Sequence, residues 1–338
     1  MSENFKLAIV GCGRHARFTL APLWKDIPQI EPVAACDEIP ENLANFADDI
    51  GIDKTYSDLA TMLDEQLPDI LIVASWPASH LQNVLDGIKA GVRAIFCEKP
   101  LALGAIQAAT MAEAAKSANV LLMEGFMSRY HPQLQAVKER LLAGEIGEVR
   151  FMRGSFSTGT ANPANWRLRG ELGGGALMDL GCYCVSGIRH QLGMEPLSVS
   201  ATGTFDEEAG VWATLMGTFH FANGVNAQFD CSFGWPRRGS YEIVGTKGII
   251  VAPKAEWSMP KDQEFSFTIS RGDGSEQPQE VVEIEGVNPY REQLLDMCNA
   301  LSSGNPPLLS ANESVSNMRA IDAVHESAKT GELINIGD

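Results

Sequence analysis

Phe5-Lys6-Leu7-Ala8-Ile9-Val10-Gly11-Cys12-Gly13-Arg14-His15-Ala16 decides the fold. A short apolar run reads as a strand, and a G-x-G-x-x-A turn follows it at once. In such a turn Gly11 makes the tight bend and Gly13 lets the backbone approach a pyrophosphate. The small Ala16 allows the next helix to pack closely on the sheet. The first N–H groups of that helix then face the phosphates. Glycines mark many turns, and it is the position directly after the first strand that gives this one meaning. A second strand over 32–36 ends at Asp37, about 20 residues beyond the loop, where an acid receives a ribose hydroxyl. An acid at a strand end also serves as a helix cap, but the glycine loop upstream favours the ribose role. Asp37 and Glu38 would repel a 2′-phosphate, so NAD is favoured over NADP. Arg14, inside the loop, pulls the other way.

The alternation continues outward. Residues 70–74 read as a strand, and Ser79 is the expected N-cap of a helix carrying Leu81, Val84, Leu85 and Ile88. The run Val92-Arg93-Ala94-Ile95-Phe96 is a strand that stops at Cys97-Glu98-Lys99-Pro100. Ligands of open parallel sheets bind at the carboxyl ends of the strands, so a lysine beside a turn-fixing proline is well placed to meet a substrate. A surface turn that happens to hold Glu-Lys-Pro is the competing reading. A helix over 105–116 and a further strand over 120–123 complete an α/β pattern. The expected fold is an N-terminal Rossmann domain, a doubly wound parallel sheet over 1–125.

Residues 126–338 change character. After a helix from about 132 to 143, strands are expected at 148–156, 214–221, 225–232, 241–245, 249–251, 265–269 and 281–284. Asn223-Gly224 between two of them is a strong hairpin signal. The expectation is an α+β domain with a large, mostly antiparallel sheet. The C-terminal helices, 290–301 and 314–329, either cover that sheet or return to the first domain. Within this half, Gly173-Gly174-Gly175-Ala176-Leu177-Met178-Asp179-Leu180-Gly181-Cys182-Tyr183 opens an apolar helix. Asp179 and Tyr183 are four apart and share a face. An acid on an apolar helix needs a partner or a role. A carboxylate capping the glycine turn is the alternative.

The chain has 338 residues, enough for two domains, and its 26 Lys and Arg against 43 Asp and Glu give a net charge of −17. That balance argues against nucleic acid and anionic membranes as partners. Seven scattered cysteines form no CxxC pair, so neither a zinc site nor a disulfide framework is expected, and a reduced cytoplasmic setting is. There is no leader-like segment and no run of about 18 apolar residues.

The glycine loop, Cys97-Glu98-Lys99-Pro100, and Asp179 with Tyr183 in the glycine-led helix together resemble the Gfo/Idh/MocA oxidoreductase family over essentially the whole chain. Trp166-Arg167 ahead of the three glycines, and Phe126-Met127-Ser128-Arg129-Tyr130-His131-Pro132, look like the branch that holds glucose–fructose oxidoreductase and the dihydrodiol and xylose dehydrogenases. The resemblance implies NAD(P)-dependent hydride transfer at a carbinol carbon of a sugar or cyclic polyol. It implies that Lys99 hydrogen-bonds the reacting hydroxyl, that Asp179 is the acid of the family pair and that Tyr183 transfers the proton. Many members carry His where this chain has Tyr183, which leaves open whether Lys99 or Tyr183 is the base. On the cofactor side the resemblance implies Gly11, Gly13, Arg14, His15, Ala16, Asp37, Ala74, Trp76, His80, Glu98 and Lys99, with Trp166 and Arg167 at the nicotinamide end. Trp76-Pro77 replaces the usual Thr-Pro. Lys99, Arg129, Asp179, Tyr183 and the 157–172 segment are the expected substrate contacts, and no metal is implied. A homodimer or homotetramer is expected because helices do not cover both faces of the second sheet. Two alternatives stay open: an NAD-dependent glycosidase of the same fold, and a non-catalytic NAD-binding regulator.

Overall fold

A computed structural model describes residues 4–159, 162, 165–257, 265–272 and 279–337. Two compact units result, one of residues 1–126 with 290–315 and one of residues 127–289 with 316–338.

In the first unit the strands are short and mostly apolar, as a sheet buried on both faces requires. They are β1 (Phe5–Val10), β2 (Ile30–Cys36), β3 (Thr55–Tyr56), β4 (Ile70–Val73), β5 (Ala94–Glu98) and β6 (Leu121–Gly125). The helices between them are α1 (Pro40–Ile50), α2 (Leu59–Gln66), α3 (Pro77–Ala90) and α4 (Ala105–Ser117). The sheet is parallel throughout, in the order β3-β2-β1-β4-β5-β6. That is the Rossmann order, with its topological switch point between β1 and β4.

Two local expectations are corrected. The segment after the glycine loop is wound as a π-turn over Ala16–Leu20 and a 3-10 turn over Ala21–Asp26. Pro22, which lacks an N–H, sits at the junction. The helix expected to be capped by Ser79 starts earlier, at Pro77, with Trp76 at its N-cap and no side-chain capping bond. Proline at the first helical position needs no donor there, which moves the start upstream.

The second unit follows with α5 (Pro132–Leu142), β7 (Val149–Ser157), α6 (Cys182–Leu192), β8 (Ser198–Asp206), β9 (Val211–His220), β10 (Asn226–Ser232), β11 (Arg238–Gly245), β12 (Gly248–Ala252), β13 (Phe265–Arg271) and β14 (Glu280–Ile284). The chain ends with α7 (Pro289–Ser303), α8 (Ala311–Thr330) and β15 (Ile334–Asn335). The nine-stranded sheet has the order β14-β13-β12-β11-β7-β10-β9-β8-β15. All its pairs are antiparallel except β7 with β10. Asn223 and Gly224 turn the β9–β10 hairpin with φ of 62° and 75°. The strands β3, β8 and β15 were not placed from the sequence.

The helix α6 is buried almost all round and lies on β7 and β10. Two glycines make this closeness possible. A Cβ at Gly181 would come within 2.9 Å of the Cys231 sulfur, and one at Gly187 within 2.8 Å of the Trp257 ring. On the sheet's other face Arg153, Thr202, Met216 and Gln228 are exposed.

Candidate active site

The first group of candidates gathers at the carboxyl ends of β1, β2, β4 and β5. Gly11 adopts a φ of +94°, and a Cβ there would lie 2.4 Å from the backbone nitrogen of Ser75. Only glycine fits this bend, because it passes directly over the end of β4, where Ala74 donates to Val10. A Cβ at Gly13 meets no protein atom within 4 Å. Ala16 is buried against the sheet.

Asp37 is buried and both its oxygens are engaged. Oδ2 accepts the Cys12 N–H at 2.7 Å and Oδ1 accepts the Ile39 N–H at 2.8 Å. The carboxylate therefore pins the glycine loop to the end of β2 and also caps the approach to α1. Each oxygen keeps a second lone pair that a ribose hydroxyl could use. Arg14 and Arg17 flank the exposed Phe18 ring at 5.7 and 4.9 Å, and Arg17 also pairs with Asp49.

His15 joins the loop to the Glu98-Lys99-Pro100 strand end. Its Nε2 lies 3.1 Å from Glu98 Oε1, and its ring meets Tyr290 edge-on at 5.6 Å. Burial works to raise the Glu98 pKa, but His15 and then Lys99 outweigh it and hold the carboxyl below its ordinary value. The Lys99–Pro100 peptide is cis. Just beyond it, the Leu101 N–H donates to the buried Glu124 at 2.7 Å.

His80 lies wholly inside. Its Nδ1 is 3.0 Å from the Pro100 carbonyl and 3.3 Å from that of Leu101, and its Nε2 is 3.1 Å from that of Ser75. Burial pulls its pKa down, against the pull of these carbonyls and Glu98. The ring thus ties the loop after β4 to the loop after β5. Trp76 and Ala74, on the first of these loops, are half-buried.

The second group lies in the other unit. The segment Leu177–Gly181 is π-wound and runs into α6, so Asp179 and Tyr183 are one turn apart and both are buried. The Tyr183 ring packs edge-on to Phe156 at 5.8 Å. Arg167 donates from Nε to Asp179 Oδ2 at 2.7 Å, and its guanidinium stands 5.0 Å over the Trp166 ring. Arg129, expected to meet substrate, is buried and hydrogen-bonds His190 Nδ1 at 2.8 Å. Of the 157–172 segment, residues 160, 161, 163 and 164 lie outside the described residues.

An oxidoreductase profile described by an NAD-binding Rossmann fold matches residues 5–126, and the GFO/IDH/MocA C-terminal domain matches residues 134–251. D-xylose 1-dehydrogenase (NADP(+)) 2 of Haloferax volcanii is 32% identical over 294 residues, 86% of this chain and 87% of that protein. The chain belongs to the Gfo/Idh/MocA oxidoreductase family. Trans-1,2-dihydrobenzene-1,2-diol dehydrogenase of Xenopus laevis is 34% identical over 231 residues, 68% of each protein. Among solved structures, the aldose-aldose oxidoreductase from Caulobacter crescentus, complexed with glycerol, superposes with a TM-score of 0.89. It shares 23% identity over 98% of this chain and 100% of that one, which shows the fold.

Sequence reasoning on this Gfo/Idh/MocA chain passed over Glu124, though it stands at the carboxyl end of a strand, the position that drew attention to Asp37 and Glu98. It also missed the bond from Arg167 to Asp179. Among the described residues no group of three or more His, Cys, Asp or Glu is arranged to hold a metal ion, and no helix is long and apolar enough to cross a membrane.

Proposed function

We propose that this Gfo/Idh/MocA oxidoreductase is a dehydrogenase that oxidises a carbinol carbon of a sugar or cyclic polyol with NAD(P). One observation carries the reading: the glycine turn at the switch point is fixed by Asp37 and joined through His15 and Glu98 to the strand end that bears Lys99. These residues fit a dinucleotide. Space beside Gly13 admits a pyrophosphate where a side chain would not. Gly11, Gly13, Arg14, His15 and Ala16 would hold the pyrophosphate, Asp37 the adenine ribose, and Ala74, Trp76, His80 and Glu98 would shape the wall toward the nicotinamide. When bound, NAD(P) supplies the hydride acceptor. Lys99 hydrogen-bonds the reacting hydroxyl oxygen. A base must take the hydroxyl proton, and Tyr183 and Lys99 are the two groups for it. Each has an ordinary pKa of about 10, so either needs neighbouring charge to act near neutrality. Asp179 supplies a fixed negative charge to the set.

Asp37 and Glu38 favour NAD, although the xylose dehydrogenase relative carries NADP(+) in its name. The first unit is assigned to the cofactor, the second to substrate and assembly. The exposed sheet face with Met216 and Gln228 supports a homodimer or homotetramer, and seven buried cysteines, none in a disulfide, support a cytoplasmic setting.

The test is cofactor reduction across aldoses, inositols and related polyols, with NAD and NADP titrated separately by fluorescence. The reading expects reduced cofactor to accumulate in step with a carbonyl product, and tighter binding of NAD. Cleavage of a glycoside with no reduced cofactor left over would assign the chain to the glycosidase chemistry instead.

A further inference from the structure

The three-glycine run is a piece of construction whose purpose the fold reveals. Gly175 has a φ of +116°, and its N–H donates to the Arg167 carbonyl at 2.8 Å. A Cβ at Gly174 would stand 2.5 Å from that carbonyl oxygen and 2.7 Å from that of Trp166. The Gly174 N–H donates to the Arg169 carbonyl at 3.1 Å. The backbone of the Trp166-Arg167 turn is thus laid directly against the glycines. Asn165 closes the turn from the other side by accepting the Arg167 N–H at 3.1 Å. The far end is fastened too, since the Gly170 N–H donates to Ala209 at 2.9 Å, in the turn between β8 and β9.

What this construction delivers is one side chain. The Asp179 N–H donates to the Gly175 carbonyl at 3.0 Å, and its side chain is 7% exposed. A carboxylate removed from water to that degree is costly unless it is paired. The Arg167 Nε stands 2.7 Å from its Oδ2, while the Arg167 side chain stays 37% exposed and lies against Trp166. We propose that Arg167 is a positioning residue that keeps Asp179 as an oriented carboxylate, and that the glycine run serves to bring it there. This differs from a place at the nicotinamide end of the cofactor, which the family resemblance gives Arg167. It rests on the dehydrogenase reading for the role of Asp179, but the pairing itself does not.

The test combines a thermal double-mutant cycle with binding and turnover. Arg167→Gln, Asp179→Asn and the double variant are melted beside the wild type. Arg167→Gln takes the guanidinium from a buried carboxylate, so Asp179→Asn should cost less in the Arg167→Gln background than in the wild type, and the midpoints should not add. In Arg167→Gln the fluorescence Kd for NAD(P) should stay within about twofold while kcat falls on the order of 10²-fold, the low end for an acid–base assembly. Arg167→Lys should recover part of the lost kcat, since it keeps the charge without the fork. Gly174→Ala, with Arg167 still present, should lower kcat in the same direction by displacing the turn. Additive midpoints, or a Kd weakened tenfold or more with kcat nearly intact, would overturn the proposal and return Arg167 to the cofactor. A wild type that binds neither NAD nor NADP would count against the dehydrogenase reading, and the melting cycle would still decide the pair.

Discussion

Lys99 is the residue on which the proposed chemistry turns. Glu98 beside it is held ionised by His15, so Lys99 keeps a fixed carboxylate neighbour. If its charge matters mainly when the hydroxyl loses its proton, Lys99→Ala should lower kcat by about 10²–10⁴-fold. Cofactor affinity should change much less, because the glycine loop and Asp37 lie at other strand ends. Lys99→Arg should rescue poorly, since a guanidinium has a different shape and stays protonated. Near-normal turnover in Lys99→Ala, with only a lowered thermal midpoint, would leave Lys99 a turn residue. Glu256 gives a prediction of another kind. It is fully buried, neither of its carboxyl oxygens has a hydrogen-bond partner in another of the described residues, and burial, against the pull of its own backbone N–H, pushes its pKa up to about 8. The folded state therefore holds a proton that the unfolded chain releases above about pH 4.5. Its contribution to stability is complete below that pH, is lost as pH rises toward 8, and is level beyond. Glu256→Gln should remove this loss, a gain with a ceiling of roughly 4–5 kcal/mol at pH 8 relative to pH 4.5. Denaturant unfolding at several pH values measures it, and wild-type and variant curves that run parallel would refute the assignment.

Elements show how far a sequence can be read. The β1–turn unit was legible because its physics is local: an apolar run, a bend that needs Gly11, and an acid one strand later. The Asn223-Gly224 hairpin was legible for the same reason, since both residues must accept positive φ. The strand β8 was missed because its alternation is weak: between the polar residues stand Val199, Ala201, Gly203 and Phe205, two of them too small to mark an apolar face. Most of it is exposed, and backbone pairing with β9 holds it in place. The parallel pairing of β7 with β10 joins residues about 75 apart and leaves no mark in either strand. The candidate site divides likewise. Lys99, Asp179 and Tyr183 stood out as charged or polar groups in apolar surroundings. The bond from Arg167 and the carbonyl cage around His80 depend on loop paths that spacing does not encode. The glycine loop also yields a contrast between neighbours. Gly11→Ala would force a strained φ and place a Cβ against the Ser75 backbone, so both thermal stability and cofactor binding should fall. Gly13→Ala meets no protein atom, so stability should hold while NAD(P) affinity drops about tenfold or more. Equal affinity in Gly13→Ala and wild type would show that no pyrophosphate passes there.

In the whole molecule the proposed function gives one unit the dinucleotide and the other Asp179 and Tyr183, with a carbonyl as the product. A chain with a net charge of −17 and two acids at the end of β2 is poorly suited to a strongly anionic ligand beyond the one its glycine loop is built to hold. A neutral sugar or polyol agrees with that balance. Assembly can be read directly by light scattering at micromolar concentration, where a homodimer or homotetramer is expected and a monomer would remove the proposed role of the exposed sheet face. Isotopic labelling tests the proposed hydride transfer directly. A sugar or polyol that supports turnover is supplied with deuterium at the carbinol carbon, and the cofactor is recovered and weighed by mass spectrometry. One deuterium is expected in the reduced nicotinamide for each carbonyl formed. Product that appears with its deuterium retained, or with no labelled reduced cofactor at all, would contradict it.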